Sequence, residues 1–122
     1  MTAPNIVNVA NITGVSTFIG ITTTTPVVLI SNAASSNQVY KINTLLAAGI
    51  GATTAITVKI HSAAAGAGTS VSIASTITVP QGSSLAIIGK DTPLYLEENR
   101  SITVTAAAIN SIDVVASYET IS

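Results

Sequence analysis

Residues 54–61 read TAITVKIH and alternate almost perfectly between apolar and polar side chains. The apolar members share one parity and the polar members share the other: Ile56, Val58 and Ile60 against Thr57, Lys59 and His61. Successive side chains of a β-strand point to opposite faces of the sheet, so this pattern predicts a strand that buries one face.

Similar segments follow one another along the whole chain, separated by stretches rich in Gly, Pro, Ser and Asn. The predicted strands are 13–21, 27–30, 38–48, 54–61, 70–79, 84–88, 94–96, 100–107 and 112–118. Short strands at regular spacing, with no amphipathic helix between them, are typical of sandwiches and jelly rolls. The sequence therefore predicts an all-β fold: a single-domain, antiparallel, jelly-roll-like β-sandwich of about seven to nine short strands. A closed barrel is the alternative.

Parity also predicts which side chains share a face. In 13–21, Phe18 lies opposite the set Val15, Thr17, Ile19 and Ile21. In the other long strands the predicted apolar sets are Tyr40, Ile42 and Leu46; Val71, Ile73, Ile77 and Val79; and Ile112, Val114, Ala116 and Tyr118. Each set is expected to face the core.

The composition supports a sheet protein and excludes several classes of function. Val, Ile and Thr make up 47 of the 122 residues, and these β-branched types favour strands. Charged residues are only 7% and the net charge is −1, so a nucleic-acid partner is not expected. The chain has no Cys, hence no disulfide and no Cys-ligated metal. No apolar run of about 18 residues and no basic start are present, so neither a transmembrane segment nor a signal peptide is expected.

The charges are concentrated towards the end of the sequence. Residues 1–40 carry none. A monomer usually keeps interspersed surface charge, and strands without Lys or Glu at their edges are prone to pair with other strands. The neutral first third therefore favours assembly, either with copies of this chain, for example as a trimer, or with another protein. A monomer with a Thr/Ser-rich surface is the alternative.

The first residues are interpreted as an uncharged arm, 1–12, followed by one sandwich domain, 13–122. Pro4 makes the start extended, and terminal segments are ordered mainly when they dock. The arm is expected to bind a partner protein through Thr2, Asn5, Val7, Val9 and Asn11.

Catalytic and metal-binding constellations are not apparent. His61 is the sole His and is expected on the outer face at a strand end. The neighbouring Glu97 and Glu98 point to opposite faces in an extended chain and are expected to form a solvated acidic turn. Calcium binding by these two with Asp91 stays open, although the spacing fits no known loop. No cofactor, no metal and no enzymatic activity are predicted.

The three tyrosines allow a sugar-binding platform as an alternative. Tyr40 and Tyr118 have the parity of core positions, and their hydroxyls are expected at the rim of the core. Tyr95 lies between two leucines and has no clear placement.

Residues 74–122 resemble the C-terminal half of small virion structural proteins of tailed phages, especially marine cyanophages. The most specific pieces are Val79-Pro80, Lys90-Asp91, the stretch LYLEE at 94–98 and the closing Ser117-Tyr118-Glu119. Residues 39–50, VYKINTLLAAGI, and the opening NIVNVANITG are also similar to this family. Members carry a Gly-containing acidic turn where this chain has Glu98-Asn99-Arg100; Asn99 is expected to adopt the left-handed conformation that Gly would.

The resemblance implies a non-enzymatic β-sandwich of the virion. The favoured function is a capsid decoration or cement protein, bound to the major capsid protein over the head lattice. A neck, tail or fibre-associated connector is the first alternative, and a carbohydrate-binding module is the second.

Overall fold

The computed structural model describes residues 11–122. It contains nine strands: β1 (Ile12–Gly20), β2 (Val27–Asn32), β3 (Val39–Gly49), β4 (Thr54–His61), β5 (Ser70–Val79), β6 (Ser84–Ile88), β7 (Leu94–Leu96), β8 (Arg100–Ala106) and β9 (Ile112–Ile121). One 3₁₀ turn, Ala64–Gly66, lies between β4 and β5. Each predicted strand is present, with boundaries shifted by at most a few residues.

Two antiparallel sheets form the sandwich, which confirms the predicted fold class. Sheet A has the order β1-β9-β3-β6, and β7 also pairs with β3. Sheet B has the order β2-β8-β4-β5. Every pairing is antiparallel. β1 and β2 are therefore edge strands on one side, and β5, β6 and β7 are edge strands on the other.

The core between the sheets is aliphatic, because the inward parity of the central strands carries Ile, Val, Leu and Ala. The fully buried side chains include Ile42, Leu45, Ile56, Val58, Leu96, Ile102, Val104, Ile112 and Val114. The predicted inward sets of β4 and β9 are confirmed. Burial of this apolar surface is the main favourable term in folding.

In β3 the predicted inward set is wrong at Leu46. The pairing of β3 with β9 shifts between Ile42 and Thr44, so Asn43 is an extra residue in the strand. A β-bulge of this kind reverses the parity of every residue beyond it. Leu45 therefore points into the core and Leu46 points outwards, being 41% exposed.

In β5 the register places Val71 and Ile77 opposite the inward residues Ile60 and Ile56, but full burial is confirmed only at Val79. Its pairing with β4 shifts twice, and Thr76 has a φ of 47° within the strand. Val79 is buried, but Val71 is 64% exposed.

Two turns match the sequence prediction. Gly82 has a φ of 81° in the turn after Pro80, and its N–H donates to the Gly49 carbonyl at 2.8 Å. Asn99 has a φ of 56°, the left-handed conformation expected there. Its side-chain oxygen accepts a hydrogen bond from the Ala64 N–H at 3.1 Å, which ties the turn before β8 to the loop that covers the end of sheet B.

Candidate assembly surface

An exposed row of apolar side chains crosses the outer face of sheet A. Phe18 of β1 lies opposite Val115 of β9, which in turn lies opposite Leu46 of β3. Leu46 pairs with Ala86 of β6, which extends the row to a fourth strand. We call these four residues the apolar row. Directly opposed side chains on one face of an antiparallel pair lie about 4.5–5.5 Å apart at Cβ, so the row is continuous.

The exposure of the row is unusual for a sheet of this size. Phe18 is 80% exposed and Val115 is 45% exposed. Isolated apolar side chains at the surface need no explanation, but contiguous ones mark interaction sites. Phe18 is also the one Phe of the chain, and it is placed outside the core.

The neighbouring rows of the same face are almost neutral. Ser16, Ser117 and Thr44 form the next row on one side, and Gly20, Asp113 and Ala48 form the next row on the other. Asp113 is the one charged residue among these six. The surface that borders the apolar row is therefore small-residue and hydroxyl-rich, with little charge to be desolvated on contact.

The remaining charges on this face lie at its opposite end. Lys41 and Glu119 are directly paired across β3 and β9. The Asn43 side-chain amide donates to Glu119 Oε1 at 2.9 Å. A shallow hollow here is lined by these residues with Thr44 and Lys90. The bulge thus also brings Asn43 to the carboxylate.

His61 lies on the outer face of sheet B, as predicted, but it is half-buried. Its Nε2 is 2.8 Å from the Thr103 hydroxyl oxygen, and its Nδ1 is buried without a hydrogen-bond partner in the described part of the chain. A hollow beside it is lined by Tyr95, Glu97 and Arg100 among others. Within residues 11–122, no group of three His, Asp or Glu residues converges on a possible metal position.

Glu97 and Glu98 differ in environment, and the predicted solvated turn is wrong for Glu98. Glu97 is exposed, whereas Glu98 is only 3% exposed. Both carboxylate oxygens of Glu98 are buried, and neither has a hydrogen-bond partner among the residues described. The parity that buries Leu96 continues into the turn and carries Glu98 to the same side.

Tyr40 and Tyr118 lie against the core, as predicted. Their rings stack with centroids 5.1 Å apart, and both pack on the buried cluster. Partial burial raises the pKa of Tyr118, and the neighbouring Tyr40 hydroxyl adds to the rise. Tyr95 is exposed and is separated from this pair on β7.

Four of the five residues predicted to bind a partner lie outside the described residues: Thr2, Asn5, Val7 and Val9. Asn11 is exposed, and its backbone exchanges two hydrogen bonds of 3.0 Å with Ser122. Asn11, the last of the five predicted binding residues, therefore already belongs to the ladder between β1 and β9.

Sequence reasoning placed Phe18 on the outer face but missed the apolar row. The sequence signal was the adjacent pair Leu45-Leu46, since two large apolar residues in succession must occupy both faces of a strand. No helix in the described residues has the length and apolarity required to span a membrane.

The fold of this chain is shared with a solved structure. No protein-family model and no curated protein matches the chain. A solved structure from the Bacillus endospore appendages, described as a novel family of disulfide-linked pili, has a TM-score of 0.57 over 91% of this chain and 88% of that chain. The sequence identity is 16%, so this likeness concerns the fold alone.

Proposed function

We propose that this protein is a non-enzymatic structural subunit that acts in many copies at the surface of a larger assembly. The observation that carries the proposal is the apolar row on a nearly neutral sheet face. Contact with a partner would remove Phe18, Val115 and Leu46 from water at little desolvation cost. No disulfide joins copies through these 122 residues, because they contain no Cys.

The specific assembly that we propose is a phage particle, with this chain as a capsid decoration or cement protein on the major capsid protein. The support is the resemblance of residues 74–122, 39–50 and the opening segment to virion structural proteins. A connector of the neck, tail or fibre would use the same surface in fewer copies. The uncharged arm is proposed as a second docking element.

A subunit of a surface filament is the second candidate. It is favoured by the shared fold with the endospore appendage structure, whose title describes pili. In that case the partner of the apolar row is another copy of this chain. Both candidates are extracellular or particle-surface structures, and both need the outer face of sheet A to be covered.

Quantitative mass spectrometry of assemblies purified from the source of the chain distinguishes these possibilities. A decoration protein is expected at a molar ratio near that of the major capsid protein. A ratio of a few per cent would identify a connector, and filaments composed mainly of this chain would identify an appendage. Absence from every purified particle or filament would overturn the proposed function.

A variant comparison tests the surface itself. Phe18→Ser and Leu46→Ser are expected to reduce incorporation into the assembly at least about tenfold while lowering the free energy of unfolding by less than about 1 kcal/mol, because both side chains are exposed. Val71→Ser is the matched control, since the exposure of Val71, 64%, lies between those of Leu46 and Phe18, and Val71 belongs to sheet B. Equal incorporation of all three variants would contradict the proposal.

A further inference from the structure

The geometry of β1 points to a second copy of this chain as its partner: we infer that two molecules pair antiparallel through their β1 edges about a two-fold axis at Ser16. The inference deepens the proposed function, because it identifies a contact between copies. It rests on the backbone pattern of β1, its outward side chains and the character of the other edges.

The backbone of β1 is arranged to extend sheet A. Asn11 exchanges hydrogen bonds with Ser122, and the Ile21 N–H donates to the Ile112 carbonyl, all at 3.0 Å. The pairing with β9 between these ends has no register shift. Because bonded residues alternate in an antiparallel ladder, the odd-numbered residues bind β9. The backbone groups of the even-numbered residues point to the free edge: Ile12, Gly14, Ser16, Phe18 and Gly20.

The side chains of these same five residues lie on the outer face, and their order is self-complementary. A two-fold axis at Ser16 places Phe18 of one copy opposite Gly14 of the other, and Ile12 opposite Gly20. Each large apolar side chain thus meets a glycine. Ile12 and Phe18 are 56% and 80% exposed, and a side chain built on Gly14 would meet nothing within 4 Å. A contact between identical edges requires this kind of symmetry.

The pairing would also cover the side of Phe18 that faces the free edge of sheet A. In each copy Phe18 would lie between Val115 on its own sheet and Gly14 of the second copy. Aromatic side chains over glycine are a recognised way of fixing register in sheets. Because β1 carries no charge, no like charges face each other across the axis.

The other edges of the described sandwich carry features that oppose pairing, whereas β1 carries none. β2 has a register shift, β5 has two, and β6 and β7 are only five and three residues long. Bulges and short strands are the usual protection of sheet edges. β1 is nine residues long and regular, and it lacks Lys and Pro.

A single-cysteine experiment tests the register directly. The chain has no Cys, so Ser16→Cys introduces one thiol at the proposed axis. Directly bonded antiparallel residues have Cα atoms about 5.5 Å apart, within the range that a disulfide requires. Oxidation of Ser16→Cys at micromolar concentration is expected to give mainly cross-linked dimer. Thr13→Cys, three residues from the axis and also exposed, is expected to stay mainly uncross-linked.

Sedimentation velocity of variants without cysteine provides the second readout. Ser16→Lys would place two like charges at the axis and is expected to raise the dimer dissociation constant at least about tenfold. Thr24→Lys, exposed outside the strand, is the control and should leave it unchanged.

A wild-type chain that remains monomeric at about 200 µM would overturn the inference, as would equal cross-linking at positions 13 and 16. Association unaffected by Ser16→Lys, including association as a trimer, would overturn the β1 contact and leave the proposed function standing. Absence of the chain from purified assemblies, with the dimer intact, would instead overturn the function alone.

Discussion

Leu45 and Leu46 are neighbours in β3, yet Leu45 is fully buried in the core and Leu46 is 41% exposed on the outer face of sheet A. The bulge at Asn43 sets this division, because it reverses the parity of the strand between Ile42 and Thr44. The same bulge places Leu46 opposite Val115, in one row with Phe18. A local irregularity of the backbone thus creates both a core contact and the exposed apolar row.

The two leucines therefore predict contrasting effects of truncation. Leu45→Ala removes fully buried methyl groups and is expected to lower the free energy of unfolding by about 2–5 kcal/mol. Leu46→Ala is expected to lower it by less than about 1 kcal/mol, because much of its surface is already in water. Urea denaturation of both variants measures this difference. Equal losses would contradict the bulged register.

Glu98 is expected to destabilise the fold. Its two carboxylate oxygens are buried without hydrogen-bond partners in the described residues, and such burial costs about 1–3 kcal/mol. Glu98→Met keeps the length of the side chain and is expected to raise the free energy of unfolding by about 1–2 kcal/mol. Glu97→Met, at an exposed neighbour, should change it by less than about 0.5 kcal/mol. A less stable Glu98→Met variant would show that the carboxylate is satisfied.

Tyr118 predicts a loss of stability at alkaline pH. Its pKa is raised in the folded protein above the ordinary value of 10.0, first by burial and then by Tyr40. The folded state therefore holds the phenol proton more tightly than the unfolded state. The stabilisation is complete below pH 10 and is lost as the pH rises through the folded-state pKa. Urea midpoints measured from pH 8 to above pH 10 should fall, and Tyr118→Phe should fall less. Parallel curves for the two proteins would contradict this role.

The uncharged arm can be removed without touching the described ladder. Within the described residues the ladder begins with the Asn11–Ser122 pair, so deletion of residues 2–10 leaves β1 intact. The deletion is expected to abolish binding to the assembly and to leave the urea midpoint unchanged. Far-UV circular dichroism provides the check that the sandwich persists. A deletion variant that is still incorporated at the wild-type level would exclude the arm as a docking element.

The strands were predictable because alternation is unbroken in most of them. β4 and β9 themselves contain no bulged residue, so alternation along each strand predicts correctly that Ile56 and Val114 face the core. Asn99 was predictable as a left-handed residue because a short polar side chain tolerates that conformation. These features depend on neighbours in the sequence alone.

The positions of the bulges and the burial of the turn residue Glu98 could not be predicted from alternation. Asn43 and the irregular part of β5 shift parity only because of how their partner strands align. Glu98 was expected in a solvated turn, but the structure buries it on the same side as Leu96. The apolar row depends on four strands meeting in one register, which no single segment reveals.

Solvent accessibility of Phe18 in the native assembly is the most direct test of the central claim. Hydroxyl-radical footprinting would compare the free chain with the same chain in purified particles or filaments, with Val71 on β5 as the internal reference. Phe18, 80% exposed in the isolated chain, is expected to be protected at least about fivefold relative to Val71 after assembly. Equal reactivity of Phe18 in both states would contradict the claim that the outer face of sheet A is the assembly surface.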